Sequence, residues 1–329
     1  MIRVLDSDDL RRLVSMADAI AAVREALAAA DRGGAVMPAP FGMYLPDAGG
    51  EVHVKGAYLT GAPVFAVKIA TGFYRNAELG LAVTGGMTMV HDAMTGMLRM
   101  LIADGGLLTE LRTAAAGAVA ADLLARPGAR AAAVIGTGGQ ARYQLLALLK
   151  VRPIERVTVW GRRRQAAEQF RRDMAVAGVP VCIAATAREA VQDAEVVITA
   201  TSSPEPLIEA GWLARGAHVT AAGSDMPHKQ ELDPRILVAA GKYVPDSIDA
   251  AATSGELHHA LEAGLLEVGS VYGELTAVAS GRLAGRTAGD ELTVADLTGL
   301  GIQDAAVAAL AARLADEHGA DRHVPLGDW

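Results

Sequence analysis

The chain has 329 residues, a formal net charge of −8 and one cysteine, Cys182. Its length suits two domains, no segment is apolar for the roughly 18 residues that a membrane span needs, and the charged N-terminus MIRVLDSDDLRR is unlike a signal peptide, so we expect a cytoplasmic protein. The acidic balance disfavours nucleic acid and anionic membranes as partners, and Cys182, expected as a buried core thiol, provides neither a disulfide framework nor a cysteine cluster for a metal.

The N-terminal region reads as a helix followed by an antiparallel sheet. Ser15 opens a capping-box pattern, apolar residues then recur at helical spacing, and a glycine pair ends the helix. From residue 52 the apolar period changes to two, which predicts a strand with Glu51, His53 and Lys55 on one face. Further strands are predicted over residues 64–70, 87–91 and 97–103, the last two joined as a hairpin.

Thr109 is predicted to cap a helix that ends before Pro127, which places Arg112 and Thr113 in its first turn. A last amphipathic helix is predicted to run from Gly301 to about residue 318. We expect this last helix to pack on the first domain.

A glycine-rich motif follows the next short apolar run. In AAAVIGTGGQA (131–141), Gly136 permits a tight turn, Gly138 lets the backbone approach a pyrophosphate, and the small Ala141 lets the next helix pack against the strand. The N-terminus of that helix then faces the phosphates. Strand-like runs alternate with helical ones at 131–135, 156–160, 179–184, 195–200 and 217–222. This alternation predicts an α/β fold with a Rossmann-type doubly wound parallel sheet that binds a dinucleotide, beside an α+β domain.

The end of the second parallel strand carries Arg162, Arg163 and Arg164, at the point where dinucleotide-binding folds place an acid for the ribose 2′-hydroxyl. No acid is present there, and arginines suit a 2′-phosphate because the guanidinium donates paired charge-assisted bonds. The pattern is compatible with NAD or NADP and favours NADP. Solvated arginines at the start of a helix are the alternative.

Polar residues just after parallel strands are candidates for the chemistry, since ligands bind outside the carboxyl ends of such strands. Asp225 follows the fifth strand, within reach of a nicotinamide ring, although an Asp before Pro227 also suits a simple turn. Thr201 and Ser202 follow the fourth strand, where they offer hydroxyls to a cofactor or substrate, or form an ordinary loop.

Two basic residues of the first region are further candidates. Lys68 interrupts the apolar strand FAVKIATG, and a buried lysine needs a partner or a ligand; the alternative is a lysine at the sheet edge whose ammonium reaches solvent. Arg112 offers a planar fork to a carboxylate, or pairs with Glu110 or another acid. The adjacent histidines at 258 and 259 are expected to be structural, so no metal site is predicted.

Together these motifs resemble the ornithine cyclodeaminase and mu-crystallin family over nearly the whole chain. LRTAAAGA and GSDMPHKQELD are the most specific, and AVKIATGF, VIGTGGQA, TATSSPEPLI and GIQDAA agree with them. The resemblance implies a Rossmann domain over 126–300 and a substrate-binding and dimerisation domain over 1–125, joined by the C-terminal helix, 301–329, in a homodimer.

The resemblance also implies roles for individual residues. Lys68 and Arg112 would bind the substrate carboxylate in the catalytic site, and Asp225 would be the acid/base beside the nicotinamide. The positions that would contact the dinucleotide are Thr113, Gly136, Gly138, Gln140, Arg162, Thr201, Ser202 and Lys229.

Two departures from the family pattern concern the substrate. The arginine that cyclodeaminases carry after a proline in the early loop is missing from PAPFGMYLP, and Lys55 stands where those enzymes have a glutamate for the distal ammonium of ornithine. A distal carboxylate could pair with Lys55 and accept a hydrogen bond from His53. The two residues therefore predict a short dicarboxylic substrate.

We predict an NAD(P)-dependent oxidoreductase that interconverts a small imino acid and an amino acid by hydride transfer, with iminosuccinate and aspartate as the dicarboxylic pair. Within the family, EVHVKGAYL and KIATGFYRN resemble the branch of imine reductases and of cyclodeaminase-like proteins found with ectoine-utilisation genes. One alternative is an ornithine cyclodeaminase-type lyase with catalytic NAD. Another is an NADP-dependent ligand-binding protein like the mu-crystallins.

Overall fold

The computed structural model describes residues 2–319 and 322–324, which form eleven α-helices and fifteen β-strands. The helices are α1 (Ser7–Leu13), α2 (Met16–Asp31), α3 (Leu107–Leu124), α4 (Gly139–Val151), α5 (Arg164–Asp173), α6 (Ala187–Val191), α7 (Arg235–Ala239), α8 (Ile248–Ser254), α9 (Glu256–Glu262), α10 (Leu275–Ala279) and α11 (Gly301–His318). The strands are β1 (Ile2–Leu5), β2 (Ala35–Val36), β3 (Phe41–Leu45), β4 (Gly50–Leu59), β5 (Val64–Phe73), β6 (Thr84–Asp92), β7 (Leu98–Ile102), β8 (Ala131–Ile135), β9 (Arg156–Trp160), β10 (Val181–Ile183), β11 (Val196–Thr199), β12 (His218–Ala221), β13 (Lys242–Pro245), β14 (Thr293–Asp296) and β15 (His323–Val324).

The chain divides into two compact units. Unit 1 comprises Met1–Arg112 and Leu300–Trp329, and unit 2 comprises Thr113–Gly299. The division falls inside α3 and just before α11, so the predicted last helix belongs to unit 1. That helix ends at His318, before Gly319, and His323–Val324 form β15, so the predicted helical segment to residue 329 is wrong at these positions; residues 320–321 and 325–329 lie outside the described residues.

Unit 1 contains a mixed sheet of eight strands in the order β15, β1, β7, β6, β5, β4, β2, with β3 paired to β4. Helix α2 begins after Ser15, whose hydroxyl accepts the backbone N–H of Asp18, as the capping pattern predicts. Helix α11 packs on α2 and on β4 and β5. Its first residue, Gly301, approaches the sheet so closely that a Cβ there would lie 2.6 Å from the carbonyl oxygen of Gly56.

The pairing of β4 with β5 fixes which side chains of unit 1 share a face. Lys55 lies directly opposite Lys68, and His53 lies opposite Ala70. Directly opposed residues of an antiparallel pair point to the same side of the sheet. The polar face predicted for β4 is therefore the face that carries Lys68.

Unit 2 is built on a parallel sheet of seven strands in the order β10, β9, β8, β11, β12, β14, β13. Two buried apolar clusters pack on this sheet, so its central strands are buried throughout. The chain order reverses between β8 and β11, which is the switch point at which doubly wound folds bind ligands. The predicted Rossmann-type fold is confirmed.

Helix α3 starts earlier than its sequence predicts. Thr109 lies inside the helix, and the carboxylate of Asp104 accepts the backbone N–H groups of Gly106 and Leu108 at its start. Asp is a good N-cap residue, and the residues before Thr109 are already helical, so the predicted cap is wrong. Arg112 and Thr113 consequently lie in the second turn rather than the first.

Two other expectations differ from the structure. Cys182 is exposed, because it lies in β10, a three-residue strand at the edge of the unit 2 sheet. Strands β13 and β14 were not predicted; each has only four residues. No helix in the described part of the chain is long and apolar enough to cross a bilayer.

Candidate active site

The glycine motif after β8 forms an open cradle in unit 2. Gly136 has φ +124°, and a Cβ there would overlap the carbonyl oxygen of Ala200, so the turn requires glycine. Gly138 precedes the first residue of α4, and no atom lies within 4 Å of the position that a Cβ would take. Ala141 is completely buried against the sheet, as a close helix–strand contact requires. The N-terminus of α4 therefore opens onto free space that suits an anion.

A cavity of about 220 Å³ lies at the carboxyl ends of β8, β9 and β11. Its lining combines the glycine turn, two arginines and the hydroxyl loop after β11. The lining residues are Gly136, Thr137, Gly138, Trp160, Gly161, Arg162, Arg163, Ala200, Thr201, Ser202, Ser203 and Leu207. Five of the predicted cofactor-contact residues are thus brought together at one edge of the sheet.

The three arginines after β9 are not equivalent. Arg162 and Arg163 line the cavity. Arg164 begins α5 and pairs with Glu168 one turn later, where both side chains are largely exposed. Anion binding by the first two stays a prediction, and the third fits the solvated-arginine alternative.

Besides Ala141 and Lys229, two predicted contact residues lie outside the cavity lining. Gln140 is in the first turn of α4, and Thr113 is buried in α3. The buried Gln144, which the sequence did not single out, donates from Nε2 to the Thr113 carbonyl at 3.1 Å and lies 3.4 Å from Gln140 Oε1. A contact of this kind joins two helices and has no local sequence signature.

Asp225 and Lys229 form an ion pair in the loop after β12. Lys229 Nζ lies 2.8 Å from Asp225 Oδ1. The lysine side chain is buried, whereas that of Asp225 is 40% exposed and accessible to a ligand. Because it carries this salt bridge, Asp225 is more than a turn residue, and its acid/base role stays a prediction.

Unit 1 holds a buried charge cluster that contains Lys68 and Arg112, the two predicted binders of the substrate carboxylate. Lys68 Nζ lies 2.8 Å and Arg112 Nε 2.9 Å from the same oxygen, Oδ1 of Asp304. Arg112 also donates to the side-chain carbonyl of Gln303 at 2.9 Å. All four residues are at most 5% exposed. The edge-lysine alternative is wrong, since β5 lies between β4 and β6, and Arg112 does pair with an acid, although not with Glu110.

Asp304 and Gln303 were missed as site residues at the sequence level. Asp304 lies in the first turn of α11, in a run of residues that is otherwise mostly apolar. An acid in such a run needs a partner just as a lysine in an apolar strand does. That signal was present in GIQDAA, but nothing local connects it to Lys68, which is 236 positions away.

Burial and mutual charge shift the pKa values of both Lys68 and Asp304 in this cluster. Burial lowers the pKa of Lys68 from 10.5 to about 7, with a further contribution from the charge of Arg112, and together these outweigh the attraction of Asp304. Burial alone would raise the pKa of Asp304, but the charges of Arg112 and Lys68 hold it below its usual value. The acid is therefore ionised at neutral pH, while Lys68 titrates near pH 7.

The cluster also contains polar atoms whose hydrogen-bonding capacity is unused. Within residues 2–319 and 322–324, Asp304 Oδ2 and Gln303 Nε2 are buried and have no hydrogen-bond partner. Buried polar atoms are normally paired. A polar ligand at this site would satisfy them.

Lys55 and His53 extend the charged face of β4. Lys55 is opposite Lys68, and its charge contributes to the pKa shifts of both Lys68 and Asp304. His53 Nε2 lies 3.5 Å from the buried carboxylate of Glu51. The structure thus places both residues on the predicted face, with Lys55 near the charge cluster; their role in substrate binding stays a prediction.

Comparison with curated proteins identifies relatives along nearly the whole chain. The "Uncharacterized cyclodeaminase y4tK" of Sinorhizobium fredii is 42% identical over 322 residues, which cover 97% of this chain and 97% of that protein. The "Iminosuccinate reductase" of Paracoccus denitrificans is 34% identical over 279 residues and covers 83% of each chain.

Two solved structures share the fold over their full length. The Delta(1)-pyrroline-2-carboxylate reductase of Thermococcus litoralis, in complex with NADH and L-proline, has a TM-score of 0.95 at 30% identity and covers 98% of this chain and 100% of its own. An archaeal alanine dehydrogenase dimer with bound NAD has a TM-score of 0.92 at 32% identity and covers 98% and 99%. These relatives confirm the predicted Rossmann-type fold and the prediction of an oxidoreductase.

The family model that describes the ornithine cyclodeaminase/mu-crystallin family matches residues 3–317. That match covers almost the entire chain, and relatives above 30% identity cover it as fully. The motifs that carried the resemblance, the strand lysine, the glycine turn and the loop of Asp225, all lie at the sites described above. The chain belongs to the ornithine cyclodeaminase/mu-crystallin family.

Proposed function

We propose that the protein reduces a small α-imino acid to the α-amino acid, and catalyses the reverse oxidation, with a nicotinamide dinucleotide as hydride carrier. The observation that carries this proposal is the buried cluster in which Lys68 and Arg112 share one carboxylate oxygen of Asp304. When Lys68 is protonated, two cations share this one carboxylate oxygen, and such a pair is suited to bind the carboxylate of an amino acid as well.

The residues at the strand ends of unit 2 fit the dinucleotide. No side chain or neighbouring segment fills the space beside Gly138 at the N-terminus of α4, which is where such folds place the pyrophosphate. Arg162 and Arg163, in the lining of the same cavity, favour NADP through its 2′-phosphate. When bound, the nicotinamide supplies or accepts hydride at its C4 atom.

The side chains of unit 1 hold the substrate. Arg112 and protonated Lys68 bind its carboxylate, which orients the α-carbon and removes the entropic cost of finding that orientation during reaction. The unsatisfied Asp304 Oδ2 and Gln303 Nε2 offer an acceptor and a donor to the remaining polar groups. Asp225 gives a proton to the substrate nitrogen during reduction and takes it back during oxidation.

Lys55 and His53 support a short dicarboxylic substrate such as iminosuccinate. Lys55, Lys68 and Arg112 are three basic groups whose charges all lower the pKa of Asp304. A second carboxylate on the substrate would pair with Lys55, whereas the distal ammonium of ornithine would be repelled. The iminosuccinate reductase among the relatives agrees with this substrate class.

We further propose a homodimer formed through the outer face of the unit 1 sheet. Phe41, Met43 and Leu45 of β3 and Met87 of β6 are exposed, and the register puts them on the face opposite Lys68. An exposed apolar patch of this kind on a sheet is typical of a protein contact. The alanine dehydrogenase relative is described as a dimer. Location in the cytoplasm stays a prediction.

The decisive experiment follows NADPH and NADH absorbance with a panel of substrates. We expect loss of reduced cofactor with oxaloacetate plus ammonia, and less with pyruvate plus ammonia. Release of ammonia from ornithine with only catalytic NAD would instead establish the cyclodeaminase. Cofactor binding without turnover of any member of the panel would favour the mu-crystallin-like ligand-binding protein.

A further inference from the structure

One buried carboxylate joins two strand ends of the unit 2 sheet. Glu231 is completely buried, and its two oxygens accept four hydrogen bonds. Oε1 accepts from the backbone N–H of Thr201 at 2.6 Å and from its hydroxyl at 2.8 Å. Oε2 accepts from the hydroxyl of Thr199 at 2.7 Å and from the backbone N–H of Gly223 at 2.8 Å. We call this group of four residues the Glu231 clasp.

The clasp spans two neighbouring parallel strands. Thr199 ends β11, and Gly223 follows the end of β12, its partner in the sheet. A side chain at Gly223 would overlap the Thr201 carbonyl oxygen and the Glu231 carboxylate, so the approach requires glycine. One acid therefore sets the spacing of the two segments that leave the sheet at its carboxyl edge.

Those two segments carry predicted cofactor and catalytic residues. Thr201 lines the cavity after β11. The segment after β12 runs from Gly223 through Asp225 and Lys229 back to Glu231 itself, so the clasp closes this loop at its base. Within the loop, the hydroxyl of Ser224 donates to the Lys229 carbonyl at 2.7 Å.

Glu231 is itself held from behind by further buried acids. Its backbone N–H donates to Glu256 Oε1 at 2.8 Å. The backbone N–H of Glu256 donates to Asp296 Oδ2 at 2.8 Å, which also accepts the hydroxyl of Tyr243 at 2.6 Å. Because Asp296 ends β14, the clasp is thus joined to a buried hydrogen-bonded network that continues along the carboxyl edge of the sheet.

We propose that Glu231 is a positioning residue for the reaction: through the clasp it fixes Thr201 and the Asp225 loop in the arrangement that the nicotinamide dinucleotide requires. This proposal rests on the proposed function, because it needs a dinucleotide at the carboxyl edge of the unit 2 sheet. Glu231 is completely buried and both its oxygens are engaged within the clasp, so it acts on the reaction through these neighbours. Its effect comes from geometry, since a displacement of about 1 Å in a reacting group costs as much as 10²-fold in rate.

The test compares Glu231→Gln with Tyr243→Phe. The amide keeps the shape of the carboxylate but replaces one accepting oxygen by an NH₂ group, which leaves two of the four donors unpaired. Tyr243→Phe removes one hydrogen bond from the far end of the same buried network and serves as the matched control for a merely structural loss. Affinity for NADH and NADPH is measured by fluorescence titration, and kcat with oxaloacetate plus ammonia, both well below the melting temperature of each variant.

We expect Glu231→Gln to weaken cofactor binding by about tenfold and to lower kcat by ten- to a hundredfold, with a smaller change in KM for the substrate. Tyr243→Phe should stay within twofold of wild type in all three quantities. Wild-type cofactor affinity and kcat in folded Glu231→Gln, or equal losses in both variants, would overturn the proposal. Failure of the wild-type protein to bind either cofactor would instead overturn the proposed function and, with it, this inference.

A second pair of variants decides the matter if Glu231→Gln does not fold. Thr199→Val removes one of the four bonds and keeps the side-chain shape, whereas Thr199→Ser keeps the hydroxyl. We expect Thr199→Val to weaken cofactor binding by about threefold and Thr199→Ser to bind as wild type. Equal affinity in Thr199→Val and wild type would count against the clasp.

Discussion

Replacing Lys68 with methionine tests whether burial in unit 1 lowers the pKa of this lysine enough for the native protein to lose its charge above neutral pH. Burial and the neighbouring Arg112 lower the pKa of Lys68 from 10.5 to about 7, although Asp304 lies 2.8 Å away. Between pH 7 and pH 10.5 the unfolded chain keeps this proton while the native chain loses it. The unfolded state therefore binds more protons in this window, and the stability of the native state rises with pH.

The size of the effect follows from the two pKa values. Each pH unit fully inside the window adds about 1.4 kcal/mol, and integration from pH 7, where native Lys68 is half protonated, to pH 9.5 gives about 3 kcal/mol. Methionine keeps the long apolar stem and cannot titrate. Lys68→Met should therefore lose this increment, which urea unfolding at pH 7 and pH 9.5 would measure.

Lys150→Met is the matched control, because Lys150 is an exposed residue near the end of α4. Every other titrating group is common to the three proteins, so the difference between their pH increments isolates Lys68. The control should gain as much stability between the two pH values as wild type. If Lys68→Met gained as much as well, the lysine would not be held near neutrality, and the electrostatic account of the cluster would be wrong.

Four further outcomes follow from the site. Gly138→Val should fold but lose cofactor binding, because its side chain would enter free space that the pyrophosphate needs; normal NAD(P)H affinity in a folded variant would contradict this. Asp225→Asn should bind cofactor and substrate yet lose 10²- to 10⁴-fold in turnover, and retention of more than about a tenth would argue against acid/base catalysis. kcat/KM should fall above pH 7 as Lys68 of the substrate-free enzyme deprotonates, and Lys68→Arg should abolish that fall. If the fall persisted in Lys68→Arg, a group other than Lys68 would cause it. Lys55→Glu should shift preference by ~10- to 100-fold from oxaloacetate plus ammonia toward ornithine, and an unchanged preference would remove Lys55 from substrate selection.

The fold of unit 2 was predictable because its signals are local. The glycine turn, the apolar strands and the helices between them each occupy a short run of sequence, and parallel sheets bury such strands on both faces. The same reasoning missed β13 and β14, although the predicted β11 and β12 are equally short. A lysine and a proline bound the two middle residues of β13, and a threonine and an aspartate bound those of β14, so neither forms an apolar run. It also misplaced the start of α3, since Asp104 and Thr109 are both good capping residues and only the observed hydrogen bonds distinguish them.

Candidate functional residues could be recognised in the sequence where a polar residue interrupts or directly follows an apolar run. Lys68 in its strand, and Thr201 and Asp225 after theirs, are examples of this. The partner of Lys68 was not recognisable, because Asp304 lies 236 positions away in a different element. The exposure of Cys182 was equally hard to predict. Its apolar sequence neighbours indicate a buried residue, but β10 is an edge strand that pairs with only one other strand, and Cys182 is exposed.

The residues that sequence reasoning missed have a common physical character. Asp304 and Glu231 are buried acids that each have one carboxylate oxygen bound by groups predicted to be functional: Lys68 and Arg112 in one case, Thr201 in the other. Burying a carboxylate is costly unless several donors or cations surround it. Such an acid therefore persists where it holds other side chains in a fixed arrangement. In a chain of this family, an acidic residue inside an otherwise apolar motif is accordingly best tested as the group that positions the catalytic residues, before it is assigned any contact with substrate.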